Sequence, residues 1–288
     1  MSKKSVYVDL GDRGRYNTNN KMNDLTGKEW LKFTKSWFIH RPIRRKENEI
    51  LHPAKFPESL VEEFIVFFTK ENAWVLDPFC GTGSVLIASA SINRKAVGIE
   101  LNDKYHNLTQ KRISNLGNTK DIYPILGNSL ELKNSLQSEE LSSVKFDFVI
   151  TSPPYWNQLM RSSIRQSERK QKGLDTRYSS ENNLDLGNLE SYDEFIEMQA
   201  LVFDQVYDVT KTNSYLTIIT NNVYADGKLY PLAFDTASSL TKRGEKSWVL
   251  KDEKIWLQDD KKLIALGVNN AWIGNRHHQY CLIFRKEK

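Results

Sequence analysis

The chain has 288 residues, of which 39% are hydrophobic and 11% aromatic, a composition that suits one large α/β domain with an insertion. No apolar run approaches the roughly 18 residues that a membrane helix needs, and no apolar segment follows the N-terminal lysines, so we expect a cytoplasmic protein without a secretory signal. The formal net charge of +5 permits a polyanionic partner without requiring one.

Helical and strand-like patterns alternate from about residue 58, which is typical of a sheet covered on both faces by helices. In chain order the first series predicts helix PESLVEEFIVFFTK, strand AWVLDP, helix VLIASASINR, strand KAVGIEL, helix DKYHNLTQKRISNLG, strand IYPILGNS and strand FDFVIT. The second series predicts helix YDEFIEMQALVFDQVYDVT, strand SYLTIIT, helix PLAFDTASSLTKRG, strand WVLKDEKIWLQ and strand QYCLIFRK. Between the two series, the polar residues 157–189 are predicted to form a long loop or insertion.

The two cysteines, Cys80 and Cys281, lie far apart and have no CxxC or Cys/His spacing. This pattern argues against a disulfide framework and against a zinc site. We therefore expect two packed thiols and no metal.

Unusual residues follow three of the predicted strands: residues 77–84 (DPFCGTGS), residues 100–102 (ELN) and residues 152–156 (SPPYW). Strand–turn–helix units give a mostly parallel sheet, and such sheets bind ligands beyond the carboxyl ends of their strands. We therefore expect these three segments to converge on one crevice.

The glycine turn places Gly81 and Gly83 between a strand and a helix, where a ligand can approach the backbone closely. The turn is not GxGxxG and no P-loop lysine follows, so a phosphate site is not supported. The Asp77 carboxylate suits a cationic or hydroxyl-bearing ligand. Glu100, about twenty residues further on, is placed as a ribose-binding acid commonly is. The alternative is a tight structural turn with a capping acid.

The segments LDPFCGTGS, VGIEL, HPAKFPESLVEEF and ITSPPY resemble motifs of the DNA amino-methyltransferases, which methylate exocyclic nitrogens. The resemblance implies a Rossmann-like class I methyltransferase fold: a mostly parallel seven-stranded sheet with helices on both faces and an antiparallel last strand. It also implies S-adenosylmethionine as cofactor. The implied cofactor-binding residues are His52, Phe56, Pro57, Asp77, Pro78, Phe79, Gly81, Gly83, Ser84, Glu100, Leu101 and Asn128.

The SPPY segment resembles the signature of the cytosine-N4 enzymes, whereas adenine-directed members usually carry Asp in place of Ser152. The resemblance implies four catalytic residues: Ser152, Pro153, Pro154 and Tyr155. The Ser152 hydroxyl and the Pro153 carbonyl would accept hydrogen bonds from the target amine, and Tyr155 would stack on the base. The prolines fix φ and offer no donor N–H. Such a pocket also implies that the base is flipped out of the duplex.

Members with this motif order usually have a recognition domain beyond the catalytic core, yet this chain ends soon after its last predicted strand. We expect an N-terminal segment, residues 1–50, with possible DNA contact, and a catalytic domain, residues 51–288. The candidate recognition segments are the N-terminal fifty residues, the insertion 157–189 and the segment DDKKLIALGVNNAWIGNRHH. The insertion is favoured, and the expected nucleic-acid contacts are Trp156, Arg161, Arg165, Arg169, Lys170 and Lys172. The alternative for the insertion is a disordered polar loop.

We therefore expect a site-specific methyltransferase for cytosine N4 in double-stranded DNA, in a restriction-modification or phage or host DNA-protection context. A cognate restriction endonuclease is a possible partner, and the sequence leaves a monomer or a homodimer open. The rival expectations are adenine N6, an RNA or protein amide nitrogen, and a nucleic-acid-binding methyltransferase fold without activity.

Overall fold

The computed structural model describes residues 6–41, 56–117, 119–156 and 184–288. These residues form seven α-helices: Gly27–Phe33 (α1), Glu58–Phe68 (α2), Ser84–Ser91 (α3), Asp103–Ser114 (α4), Leu132–Ser138 (α5), Tyr192–Val209 (α6) and Leu232–Leu240 (α7). They also form twelve β-strands: Tyr7–Asp9 (β1), Arg15–Asn17 (β2), Trp37–Ile39 (β3), Trp74–Asp77 (β4), Lys95–Glu100 (β5), Ile122–Leu126 (β6), Phe146–Thr151 (β7), Thr210–Thr220 (β8), Val223–Ala225 (β9), Lys228–Tyr230 (β10), Val249–Leu257 (β11) and His278–Arg285 (β12). Every helix and strand predicted from residue 58 onward is present.

The central sheet has eight strands in the order β3-β11-β12-β8-β7-β4-β5-β6. Neighbouring strands are parallel except where β12 pairs with β8 and with β11. The α/β class, the mostly parallel sheet and the antiparallel last strand confirm the class I methyltransferase fold. The expected count of seven strands is wrong by one, because β3 adds an eighth strand at the edge beside β11.

The N-terminal segment, as far as it is described, packs on this sheet. Strand β3 pairs with β11 in parallel, and the Lys254 ammonium on β11 donates hydrogen bonds to the backbone carbonyls of Phe33 and Lys35. Phe33 on α1 stacks on Phe67 of α2, with 4.0 Å between ring centroids. These contacts attach the segment to the central sheet and to α2, while its expected contact with DNA stays a prediction.

Two apolar cores lie on the two faces of the sheet. Helices α2 and α3 pack on one face, where Phe64, Phe67 and Phe68 are buried as the helical spacing predicts. Helices α5, α6 and α7 pack on the other face. Cys80 and Cys281 are both buried free thiols, as expected. Among the helices of the described ranges, none is long and apolar enough to cross a bilayer.

Because helices cover both faces of the sheet, a ligand-binding site is expected at the ends of the strands. Strands β4, β5 and β7 lie beside one another in the middle of the sheet, and they are the strands that precede the glycine turn, Glu100 and the SPPY segment. The sheet order therefore brings the three predicted segments to one edge.

Candidate active site

A cleft opens at the carboxyl ends of β4, β5 and β7 and encloses about 1060 Å³ of space, part of it open to solvent. Eleven of the residues predicted from the motifs line this cleft: Phe56, Asp77, Pro78, Phe79, Gly81, Ser84, Glu100, Leu101, Asn128, Ser152 and Pro154. The expected convergence of the three strand ends is therefore present in the fold.

The Asp77 carboxylate ends β4 and is almost fully buried. Its Oδ1 atom accepts hydrogen bonds from the Phe79 amide at 3.0 Å and from the Thr151 hydroxyl at 2.6 Å. The Thr151 bond joins the glycine turn directly to the residue that precedes Ser152. Burial raises the pKa of Asp77 to about 7, although both hydrogen bonds favour the charged form.

The Glu100 carboxylate closes β5 and faces the glycine turn. Its Oε2 atom accepts from the Gly81 amide at 2.7 Å, and its Oε1 atom accepts from the Asn102 amide at 2.9 Å. Burial raises the pKa of Glu100 to about 7, against the effect of these two amides. Each oxygen keeps a second lone pair, so the carboxylate can still accept hydrogen bonds from a ligand.

The glycine turn needs glycine for two separate reasons. Gly81 and Gly83 both have positive φ, 54° and 79°, a conformation that residues other than glycine rarely adopt. A Cβ atom at Gly83 would also lie 2.5 Å from Thr109 Cγ2 on α4. Thr109 in turn donates its hydroxyl to the Gly81 carbonyl at 3.1 Å, so α4 holds the turn closed on one side.

Helix α2 holds the turn from the other side. Arg112 of α4 donates to the Thr82 carbonyl and to the Glu58 carboxylate at the start of α2. The Ser84 hydroxyl donates to the Phe56 carbonyl at 3.1 Å, which brings the helix-leading segment to the cleft. Pro57 starts α2, and its carbonyl accepts the first amide bonds of that helix. Pro57 and Gly83 thus shape the cleft without lining it, and the cofactor contacts predicted for them stay predictions.

A third carboxyl group enters the cleft from Asp185, which the sequence analysis missed. Asp185 is nearly buried, and its Oδ1 atom accepts from the Gly187 amide at 2.8 Å in a short turn. Burial raises its pKa, and its charge acts on Glu100. The end of the insertion, residues 184–186, therefore lines the cleft. An acid two residues before a glycine is a weak sequence signal that could have pointed to it.

The remaining lining residues, which were not among the individually predicted site residues, are mainly apolar side chains and hydroxyls of the predicted segments and of neighbouring elements. They are Val61, Cys80, Thr82, Val85, Ile99, Asn102, Tyr105, Ser129, Leu130, Ile150, Thr151, Leu184, Leu186, Val202 and Ile219. The cleft therefore combines a mostly apolar wall with a few carboxyl groups, as ligand sites commonly do.

The SPPY segment follows β7 on the same edge. The Ser152 hydroxyl donates to the Tyr155 hydroxyl at 3.3 Å, and the Tyr155 hydroxyl donates to Gln279 Oε1 at 3.0 Å. Ser152 and Pro154 line the cleft, while Pro153 is buried beside it. The segment thus presents a hydroxyl toward the cleft that holds the Asp77 and Glu100 carboxyls.

The expected contact of Trp156 with nucleic acid is wrong, because the Trp156 side chain is only 3% exposed. A positive φ of 49° turns the chain there, and the indole packs against the rings of Tyr192 and Tyr230. Trp156 therefore fixes the end of the SPPY segment from inside the core. The other predicted residues of this kind, Arg161, Arg165, Arg169, Lys170 and Lys172, lie outside the described residues, as does His52.

Two sequence families match the chain. Residues 5–111 match the DNA methylase family, whose members act at N6 and N4, and residues 72–157 match the RNA cap guanine-N2 methyltransferases. The first stretch holds the glycine turn and Glu100, and the second adds the SPPY segment.

Curated relatives match over shorter stretches. The putative methylase YubD of Escherichia coli is 41% identical over 63 residues, which are 22% of this chain and 28% of the relative. The type II methyltransferases M.BglI of Bacillus subtilis and M.HinfI of Haemophilus influenzae are each 34% identical over 91 residues, 32% of this chain, and these stretches cover 26% and 25% of those proteins. The chain thus matches about a quarter of the length of these relatives.

Solved structures match over more of the chain at lower identity. A putative rRNA methylase from Clostridium thermocellum is 15% identical and covers 81% of this chain and 98% of its own, with a TM-score of 0.49. TrmN from Thermus thermophilus is 10% identical and covers 75% of this chain and 44% of its own, with a TM-score of 0.46.

Proposed function

We propose that this chain, whose residues 5–111 match the DNA methylase family, transfers a methyl group to the exocyclic amine of a base in double-stranded DNA. One observation carries the proposal: Ser152 of the SPPY segment lines the same cleft as Asp77 and Glu100. A base amine held by the SPPY segment would therefore lie beside a ligand held by the two carboxyls.

S-adenosylmethionine is the methyl donor of this family, and the donor set of the cleft fits it. When bound, it supplies an electrophilic methyl group on a sulfonium. Glu100 and Asp77 offer acceptors for ribose hydroxyls and for an ammonium group, and Phe56, Phe79 and Leu101 offer apolar surface for an adenine ring. Cofactor contacts by His52 and Asn128 are part of the same proposal.

The chemical task of the SPPY segment is to make a poor nucleophile reactive. The lone pair of an exocyclic amine is delocalised into the base, so the nitrogen must be drawn toward tetrahedral geometry. The Ser152 hydroxyl and the Pro153 carbonyl would accept hydrogen bonds from the two N–H groups, and Tyr155 would stack on the base. Ser152 is too weakly basic to take the proton beforehand, so the chain acts by positioning and electrostatics.

We further propose cytosine N4 as the target. The reason is Ser152, which stands where adenine-directed members usually carry Asp. A base inside a duplex cannot present its amine to this cleft, so the base is flipped out of the stack. The basic residues of the insertion 157–189 would grip phosphates beside it.

Adenine N6 is the second candidate, because the matching family model covers both N6 and N4 enzymes. RNA is a third, since residues 72–157 match the RNA cap guanine-N2 methyltransferases. A role beside a restriction endonuclease follows only from the type II relatives and is part of the proposal.

The test is methyl transfer to matched nucleic acids. The protein is incubated with labelled S-adenosylmethionine and, in parallel, with genomic DNA and with total RNA. Transfer to DNA alone is expected. Transfer to RNA alone would assign the chain to the third candidate, and cofactor binding without transfer to either would contradict an active enzyme.

A further inference from the structure

The loop between β11 and β12, residues 258–277, has an organised structure of its own. At its base the Gln258 amide donates to the His277 carbonyl at 2.7 Å. In its middle the Asn275 side chain accepts from the Ile264 amide at 2.9 Å and donates to the Ile264 carbonyl at 2.8 Å. The β11–β12 loop is thus a long compact loop with its ends together, a kind that is frequently functional.

The tip of the β11–β12 loop is also shaped by its own contacts. The Gly267 carbonyl accepts from the Asn270 and Ala271 amides at 3.0 and 2.8 Å. Gly267 has a φ of 62°, and a Cβ atom there would lie 2.3 Å from the Ala271 carbonyl oxygen. The turn therefore requires glycine and fixes the direction in which the next residues leave it.

Large apolar side chains project from this loop into solvent. Trp272 is 92% exposed and Leu263 is 80% exposed, and Val268 is exposed as well. Several large apolar side chains exposed on one internally hydrogen-bonded loop can mark an interaction surface. The loop is held together by its own hydrogen bonds, and these side chains stay outside the core. A binding partner could therefore bury them.

The β11–β12 loop lies next to the catalytic segment. β11 ends and β12 begins on the edge of the sheet that carries the cleft. Gln279, two residues beyond the loop, accepts the hydrogen bond of the Tyr155 hydroxyl. Whatever binds the loop is therefore held close to the SPPY segment.

The charge on the β11–β12 loop permits a polyanionic partner. The loop carries three cationic residues, Lys261, Lys262 and Arg276, against two acids, Asp259 and Asp260. One of these acids, Asp259, is paired with Arg41 at 2.6 Å. Backbone phosphates and an apolar wedge between base pairs are the combination that DNA-bending and base-flipping proteins use.

We propose that the β11–β12 loop docks on double-stranded DNA and that Trp272, supported by Leu263, enters the base stack beside the flipped nucleotide. The proposal rests on the proposed function, because it needs DNA as the substrate. In this proposal, the residues that open the base stack of the DNA are separate from the residues that hold the cofactor.

The experiment compares Trp272→Ala and Leu263→Ala with Leu250→Ala, a control at an exposed leucine near the start of β11, at the end of that strand away from the loop. Initial rates of labelled methyl transfer are measured on genomic DNA, native and heat-denatured, at limiting DNA. Since stacking of an aromatic ring on a base contributes roughly 1–3 kcal/mol, Trp272→Ala should lower the native-DNA rate by about fivefold or more. The rate on denatured DNA and the affinity for S-adenosylmethionine should change little. Equal loss on both forms, or no loss on either, would overturn the proposal.

A second measurement does not depend on turnover. Acrylamide quenching of tryptophan emission should fall when mixed-sequence duplex DNA binds the native chain, and this fall should be much smaller in Trp272→Phe. The same fall in both proteins would overturn the proposal. So would loss of self-association in Trp272→Ala with unchanged transfer, which would assign the surface to a second copy. If the native chain binds S-adenosylmethionine and neither binds nor methylates DNA, the proposed function itself has failed.

Discussion

The Tyr155 hydroxyl, at the end of the SPPY segment, donates a 3.0 Å hydrogen bond to Gln279 Oε1 on the antiparallel strand β12. The same hydroxyl accepts from Ser152 at 3.3 Å. The last strand of the sheet therefore holds the ring that is proposed to stack on the base and, through it, the serine proposed to hold the amine.

Replacing Gln279 with Leu should misplace Tyr155 while leaving the cofactor cleft intact. Because a net hydrogen bond is worth about 0.5–1.5 kcal/mol, kcat for methyl transfer should fall about two- to tenfold. The affinity for S-adenosylmethionine, measured by calorimetry, should stay the same. Tyr155→Phe removes the other partner, so the double variant should lose less than the two single losses combined. Fully additive losses would contradict the coupling.

Ser152→Ala should lower methyl transfer about tenfold to hundredfold, because one of two proposed acceptors for the target amine is lost. Cofactor affinity should remain close to that of the native chain. Ser238→Ala, at an exposed serine of α7, serves as the control and should leave both quantities unchanged. If Ser152→Ala abolishes cofactor binding instead, the division between cofactor and base contacts is wrong.

Cofactor affinity should rise with pH through neutrality. Burial raises the pKa of Asp77 and of Glu100 to about 7 each, so both carboxyls take up protons as the pH falls below 7. A cofactor that bonds their charged forms must displace those protons. Affinity should therefore fall on the order of tenfold per pH unit for each group below pH 7.

Calorimetry between pH 6 and pH 8, in buffers of different ionisation enthalpy, measures both the affinity and the protons released. Asp77→Asn removes one titrating group and should flatten the profile at a lower affinity. An affinity that stays constant or rises toward pH 6 would show that the charged carboxyls do not bind the cofactor.

Gly83→Ala should destabilise the fold through two separate costs. Left-handed backbone costs a residue with a side chain about 1–2 kcal/mol, and crowding against Thr109 costs about 1–3 kcal/mol. Thr109→Ser removes the crowding methyl group and keeps the hydroxyl, so in that background the loss from Gly83→Ala should shrink without vanishing. Urea denaturation measures both values, and Gly117→Ala, at a glycine with open space around it, is the control. An unchanged loss in the Thr109→Ser background would contradict the contact.

The central strands and the cleft could be predicted from the sequence because they depend on local sequence patterns. Strands β4, β5 and β7 are buried on both faces and therefore appear as apolar runs, and each is followed at once by predicted site residues. Strand β3 was missed, since three residues carry no periodicity and its pairing with β11 spans most of the chain.

Side-chain direction and distant contacts could not be predicted in the same way. Trp156 and Tyr155 are adjacent aromatic residues, yet one is buried in the core and the other bonds to Gln279, a partner 124 positions further along. Asp185 reaches the cleft only because the chain returns there at the end of the insertion. Such placements depend on the assembled sheet, not on the local pattern.

The most direct test of the central claim is the identity of the methylated nucleoside. Genomic DNA lacking prior methylation is treated with the protein and labelled S-adenosylmethionine, digested to nucleosides and resolved by chromatography with mass spectrometry. Label in N4-methylcytosine is the predicted result, and it should be strongly reduced with Ser152→Ala. Label in N6-methyladenine would contradict the cytosine assignment, and absence of label from DNA, with the cofactor bound, would contradict the methyltransferase activity itself.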